Sequence, residues 1–105
     1  MFIIRQTDTV NESIPVKYRG INPETGKYGE LKEKLEDVIP FSSTKESINE
    51  INRIINTMRK TGREGIHPTN SNKKFTILDV DEEYIIRKQY SLKEWFNNSI
   101  NKIEW

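Results

Sequence analysis

Residues 75–96, FTILDVDEEYIIRKQYSLKEWF, decide the fold. Two runs rich in β-branched and aromatic residues, Phe75 to Val80 and Tyr84 to Tyr90, flank the polar segment Asp81-Glu82-Glu83. This pattern predicts two antiparallel strands joined by a hairpin loop. Apolar groups occur on both faces of the first run, so we expect that strand to be covered on both sides. We interpret the acidic loop as a solvated turn and not as a metal site.

An amphipathic helix is predicted after the hairpin. Ser91 and Glu94 form a capping-box pair, in which each side chain binds the free backbone amide of the other residue. The apolar residues that follow recur at helical spacing and are Leu92, Trp95, Phe96, Ile100 and Ile103. We expect this C-terminal helix to pack on the sheet through that stripe.

A longer amphipathic helix is predicted upstream, over residues 44–60. Ser43 and Glu46 form a second capping box at its start, and Arg59 and Lys60 lie in its last turn, where cations meet the negative helix end. Its apolar stripe covers about 120° of one face and consists of Ile48, Ile51, Ile54, Ile55 and Met58. This stripe is expected to form part of the core.

The first third of the chain is predicted to contain strands over residues 2–6 and 16–21, a turn at 22–26 and a return strand from Lys27. A short helix that Pro40 ends is predicted beyond them, because helical spacing relates Leu31, Leu35 and Val38, and a strand over residues 30–38 stays open as the alternative. Together these elements predict an α+β fold. It consists of a small antiparallel sheet with one long amphipathic helix and a C-terminal amphipathic helix packed on it.

Length and composition predict one domain over residues 1–105. No stretch reaches the roughly 18 apolar residues of a membrane span, and no signal peptide is recognised, so we expect a cytoplasmic protein with no membrane partner. The chain has 15 Ile, 10 Asn and 11 Lys but no Ala. Because these choices follow AT-rich codons, we expect a gene from a low-GC bacterium or its phages, and a bacterial host cytosol.

Several kinds of chemistry are excluded by composition. Without cysteine the chain has no disulfides, thiolate nucleophile or cysteine-type zinc site. Its one histidine, His67, precedes Pro68 in a polar segment and has no carboxylate closer in sequence than Glu64. We therefore expect no catalytic residues, no enzyme activity, no metal and no cofactor. The net charge of +1 provides no overall field for nucleic acid or an anionic membrane.

Positive charge is concentrated in residues 57–74, which carry five cations against Glu64, a net charge of +4, together with Gly62 and Gly65. Glycines let backbone amides approach an anion, and arginine binds phosphate through two parallel hydrogen bonds. This basic loop is the predicted ligand-binding site, with Arg59, Lys60, Thr61, Arg63, His67, Lys73 and Lys74 as its binding residues. The alternative interpretation is a solvated connector whose charges aid solubility.

Three classes of function stay open. The first is a non-enzymatic binding protein of phage or mobile-element accessory type, which captures a phosphorylated or nucleotide-like ligand at the basic loop and could thereby sequester a host-defence signal. The second is an inhibitor or adaptor that binds a host protein. The third is a weak nucleic-acid binder, which is disfavoured because a net charge of +4 in one loop provides few phosphate contacts.

A homo-oligomer is also expected. A single core in 105 residues is marginal, and Trp105 falls off the apolar face of the C-terminal helix, where a partner subunit would cover it.

Overall fold

A computed structural model describes residues 1–8, 13, 15–22, 24, 31–60 and 73–97. Of these, residues 57–60 and 73 are described through their backbone alone. In chain order its elements are β1 (Phe2–Asp8), β2 (Lys17–Arg19), a 3₁₀ turn (Leu35–Asp37), α1 (Lys45–Lys60), β3 (Lys73–Val80), β4 (Ile86–Ser91) and α2 (Leu92–Asn97). The predicted combination of a small antiparallel sheet with helices is therefore present.

The strands form one antiparallel sheet of four in the order β2-β1-β3-β4. Ile4 of β1 lies between Arg19 of β2 and Ile77 of β3, and Ile77 in turn faces Tyr90 of β4. The two central strands are thus β1 and β3. This position explains the apolar residues on both faces of β3, because a central strand is covered on both sides.

Each face of the sheet packs against its own apolar cluster, because successive side chains of a strand point to opposite faces. On one face Phe2 and Ile4 pack with Ile77 against the stripe of α1 and against Trp95 of α2. The predicted stripe residues Ile48, Ile51, Ile54 and Ile55 are all at most 3% exposed. On the other face Ile3 and Leu78 pack with Val38.

Both helix starts are capped by side chains. At α2 the predicted capping box is confirmed: Ser91 Oγ accepts the amide of Glu94 at 3.2 Å, and Glu94 Oε1 accepts the amide of Ser91 at 3.5 Å. At α1 the predicted pair Ser43 and Glu46 is wrong by one residue. There the hydroxyl of Thr44 accepts the amide of Ser47 at 3.3 Å. Several hydroxyls in succession made the sequence signal ambiguous.

The predicted helix over residues 31–38 is wrong. Lys32 exchanges two backbone hydrogen bonds with Tyr18, of 2.7 and 2.8 Å, so its amide and carbonyl serve a strand-like bridge. Only the 3₁₀ turn Leu35–Asp37 is helical, and Val38 after it is extended. Gly20 lies beside Val38 and Ile39 of this segment and is buried. A Cβ atom at position 20 would overlap the carbonyl oxygen of Ile39 and Cγ1 of Val38. Glycine therefore permits the segment to lie against the end of β2.

The strand boundaries differ from the prediction where long-range contacts set them. β1 extends to Asp8, and β2 is shorter than predicted because Ile21 leaves the sheet and donates its amide to Ile39 at 2.7 Å. The predicted turn is supported at Asn22, whose Oδ1 accepts the amide of Glu24 at 2.9 Å. The predicted return strand from Lys27 begins outside the described residues.

The β3–β4 loop is wider than predicted, because Val80 pairs with Ile86. Tyr84 has a φ of 62°, a left-handed conformation that does not belong to a strand. Its hydroxyl donates to the carbonyl of Val38 at 2.8 Å, across to the segment that covers this face of the sheet. The loop therefore contributes a side chain to the second apolar cluster.

Candidate ligand-binding site

The structure places the predicted binding residues in three groups. Arg59 and Lys60 are the last two residues of α1, where only the backbone is described. Thr61, Arg63 and His67 lie outside the described residues. Lys73 and Lys74 do not lie in the loop as predicted but are the first two residues of β3. The connection between α1 and β3 is therefore residues 61–72.

The two lysines belong to the sheet because β1 continues far enough to pair with them. Lys73 lies opposite Asp8 and Lys74 opposite Thr7, and the Thr7 hydroxyl donates to the Lys74 carbonyl at 3.4 Å. Two successive lysines carry no local strand signal, so the sequence could not show this boundary. The pairing fixes the exit of the basic loop at the end of the sheet where β1 ends.

Further basic residues lie at this end of the sheet. Because adjacent strands are antiparallel, the start of β3 lies beside the end of β4, where Thr76 pairs with Ser91. Lys93 of α2 follows two residues later, and it is exposed like Lys74. Lys17 starts β2 and pairs with Gln6 near the end of β1. The fold therefore brings cations from three separate segments to the end of the sheet that receives the basic loop.

An open pocket of about 600 Å³ lies nearby, between β4 and α2. Its lining consists of Lys88, Tyr90, Ser91, Lys93, Glu94 and Asn97. Lys88 Nζ lies 4.8 Å from the centroid of the Tyr90 ring, a cation–π contact, and Glu94 is held by the capping box. Two ammonium groups beside an aromatic ring suit an anionic ligand with a flat apolar part.

Sequence reasoning missed this pocket. The available signal was the spacing of Lys88 and Tyr90, which places both side chains on one face of a strand. Tyr90 is 7% exposed and packs edge-on against Trp95, with ring centroids 5.7 Å apart. It therefore belongs to the core and shows only its rim to the pocket.

The acidic hairpin loop is a structural turn. Asp81 Oδ1 accepts the amides of Glu83 and Ile85 at 2.9 and 3.0 Å, and Oδ2 accepts Arg87 Nε at 2.9 Å. These interactions, led by the Ile85 amide and followed by Glu83 and Arg87, hold the pKa of Asp81 below its ordinary value of 3.8. Within the described ranges no group of three or more His, Asp or Glu residues is placed to hold a metal ion.

No protein-family model, curated protein or solved structure matches the chain. Of the helices within the described part of the chain, none is long and apolar enough to cross a membrane.

Proposed function

We propose that this chain is a non-enzymatic binding protein that captures a phosphorylated or nucleotide-like ligand at the basic loop. The observation that carries the proposal is the net charge of +4 over residues 57–74, among glycines that allow close backbone approach. The proposed ligand contacts are Arg59 and Lys60 at the end of α1, Thr61, Arg63 and His67 of the connection, and Lys73 and Lys74 of β3.

The position of the loop supports this proposal. It joins the end of α1 to the start of the central strand β3, so both of its ends are tied to well-packed elements. A rigid scaffold that presents a loop is the common arrangement of binding sites. Lys93 supplies a further cation at the same end of the sheet, and the β4–α2 pocket extends from it past the rim of the Tyr90 ring to Lys88, which pairs with Asp79 farther along the sheet.

The biological setting stays a proposal drawn from composition. A small cytoplasmic accessory protein of a phage or mobile element in a bacterial host would use such a site to sequester a nucleotide signal of host defence.

Calorimetric titration with ATP and with inorganic pyrophosphate tests the proposal. We expect both to bind, and we expect Arg59→Ala and Arg63→Ala to weaken each at least about tenfold, because a hydrogen bond to a charged group contributes about 1.5–3 kcal/mol. Thermal stability should change by less than about 1 kcal/mol, because the sequence predicts both arginines to be charges at the solvent rim.

The matched control is Lys34→Ala, which removes an exposed cation at the 3₁₀ turn and should leave both affinities unchanged. If Lys34→Ala weakened ATP and pyrophosphate binding as much as the two arginine variants, the loss of affinity would come from the change in net charge and not from the loop. A large loss of stability in Arg59→Ala would show that this arginine is a structural residue.

A second function, binding of a host protein, is favoured by a separate observation. Large apolar side chains that are 38–46% exposed, those of Met1, Ile39 and Ile85, occur at the opposite end of the sheet. The Met1 carbonyl accepts the Val80 amide at 2.8 Å, and the Tyr84 hydroxyl reaches the carbonyl of Val38. An adaptor or inhibitor would use this apolar end, and a pull-down with Ile85→Asp as the negative variant would test it.

A further inference from the structure

The face of the sheet that points away from α1 and α2 is apolar over only half of its length. By the alternation of strand side chains, β1 presents Ile3, Arg5 and Thr7 on this face. The Ile3 end packs against Leu35 and Val38. Towards the end of the sheet that receives the basic loop, the same face becomes polar.

The strand register defines this polar half. Arg5 lies between Tyr18 of β2 and Thr76 of β3, and Thr7 lies opposite Lys74. Thr76 in turn pairs with Ser91. The register positions of the polar half are Arg5, Thr7, Tyr18, Lys74, Thr76 and Ser91, and none of these described residues carries a carboxylate. Gln89 lies opposite Leu78 at the border of the apolar half, and Tyr18 also packs against the apolar cluster. Two cations and several hydroxyls therefore share this surface, with no carboxylate among the described register positions.

Arg5 is the central side chain of this surface and is only partly satisfied. Its Nη2 donates to Gln89 Oε1 at 2.7 Å, across β3. Its Nε is buried and finds no hydrogen-bond acceptor within the described part of the chain. A buried donor without an acceptor is costly, and a neutral amide is a weak partner for a guanidinium. A stronger acceptor would therefore displace Gln89 as the hydrogen-bond partner of Arg5.

An oxyanion is such an acceptor. The Nε and Nη2 groups of one guanidinium can bind two phosphate oxygens side by side. Lys74 is the diagonal neighbour of Arg5 across the β1–β3 pair, within reach of the same anion for a long side chain. Thr7 and Thr76 flank the position, but the Thr7 hydroxyl donates to the Lys74 carbonyl and Thr76 is buried, so the charge of Arg5 and Lys74 carries the interaction.

We infer that Arg5 and Lys74 bind the phosphoryl group of the ligand on this polar half of the sheet. Arg5 turns from Gln89 to present Nε and Nη2 to two phosphate oxygens, and Lys74 neutralises the remaining charge. The inference rests on the proposed function for its phosphorylated ligand. It adds Arg5, a residue far in sequence from the basic loop, to the proposed ligand contacts.

Titration with inorganic pyrophosphate at fixed salt tests the assignment. We expect Arg5→Gln and Lys74→Gln each to weaken pyrophosphate binding at least about tenfold. The matched control is Arg53→Gln, which removes the same charge from α1, where Arg53 pairs with Glu50. It should change the affinity less than about twofold.

A second measurement uses the wild-type protein and does not depend on the folding of a variant. In a ¹H–¹⁵N spectrum of the arginine side chains, the Arg5 Nε–H signal should shift as pyrophosphate is added and follow the calorimetric binding curve. The Arg53 Nε–H signal should not shift. An unmoved Arg5 signal at saturation would overturn the inference.

The outcomes separate this inference from the proposed loop site. If Arg63→Ala weakens binding and Arg5→Gln does not, the sheet-face assignment is wrong and the loop site stands. If Arg5→Gln weakens binding and Arg63→Ala does not, the sheet face receives the anion and the loop is not the site. If pyrophosphate and ATP do not bind the wild-type protein, both proposals are wrong.

Discussion

Asp81 organises the turn between β3 and β4 through a single carboxylate. Two backbone amides and the Arg87 guanidinium share its oxygen atoms. All of these donors favour the ionised form, which is why the pKa of Asp81 is lowered in the folded protein. In the unfolded chain the carboxyl regains its ordinary pKa, so protonation and stability are linked at this residue.

The pH dependence of stability should therefore change in Asp81→Asn. Because the folded-state pKa lies below 3.8, the ionised carboxylate stabilises the fold above about pH 4, and this contribution is lost as the pH falls through the folded-state pKa. We expect Asp81→Asn to melt at a lower temperature than wild type at neutral pH. Between about pH 5 and pH 2 it should lose less stability than wild type.

Thermal melts across this pH range measure both effects. Glu82→Gln is the matched control in the same loop, since the Glu82 carboxylate makes no hydrogen bond to any described residue. It should follow the wild-type pH dependence. A wild-type pH profile in Asp81→Asn would contradict the role given to the Asp81 carboxylate.

At the scale of elements, α1 is held by its isoleucine stripe. Ile51 and Ile55 are fully buried against the sheet. We expect Ile51→Ala and Ile55→Ala each to lower the free energy of unfolding by about 2–5 kcal/mol, through lost apolar contact and the cavity left behind. Chemical denaturation of both variants measures this loss.

Ile85→Ala is the control for this prediction, because it makes the same chemical change at a side chain that is 46% exposed. Its effect should stay within about 0.5 kcal/mol of zero. Near-neutral values for Ile51→Ala and Ile55→Ala would mean that the stripe is not part of the core.

Local signals predicted the elements that local contacts determine. The α2 capping box and the isoleucine stripe of α1 involve residues three or four apart, and both are observed. The start of β3 at Lys73 depends instead on Asp8, a partner that no local pattern can reveal. Lys32 likewise lies in a segment with helical spacing but is not helical, because its backbone amide and carbonyl form hydrogen bonds with Tyr18. Long-range pairing overrode the local propensity at both places.

The candidate site shows the same division. Charge and glycine content pointed to the basic loop from composition alone, and residues 61–72 lie outside the described part of the chain. The sequence alone could not show that Arg5 and Lys74 are neighbours, because only the β1–β3 register brings them together. It also could not show that Gln89 is the partner of Arg5, a contact that crosses β3.

At the scale of the whole molecule, we expect a homo-oligomer, most simply a symmetric dimer. A single core in 105 residues is limited, and Trp105 falls off the apolar face that the sequence predicts for the C-terminal helix, where a partner subunit would cover it. Light scattering coupled to size exclusion should give twice the chain mass of 12.4 kDa. A variant lacking Glu104 and Trp105 should shift towards the monomer, and a monomeric wild type at micromolar concentration would contradict the expectation.

The pairing of β1 with β3 also determines when the protein can fold during its own synthesis. Phe2 pairs with Asp79, so the central pair of the sheet joins the first strand to one that is translated about seventy residues later. At about 5–20 residues per second, a ribosome needs several seconds to cover that interval. Throughout it, β1 can pair only with the short strand β2, and its other edge has no strand to pair with. The emerging chain therefore exposes an apolar strand to chaperones or to neighbouring chains before β3 exists.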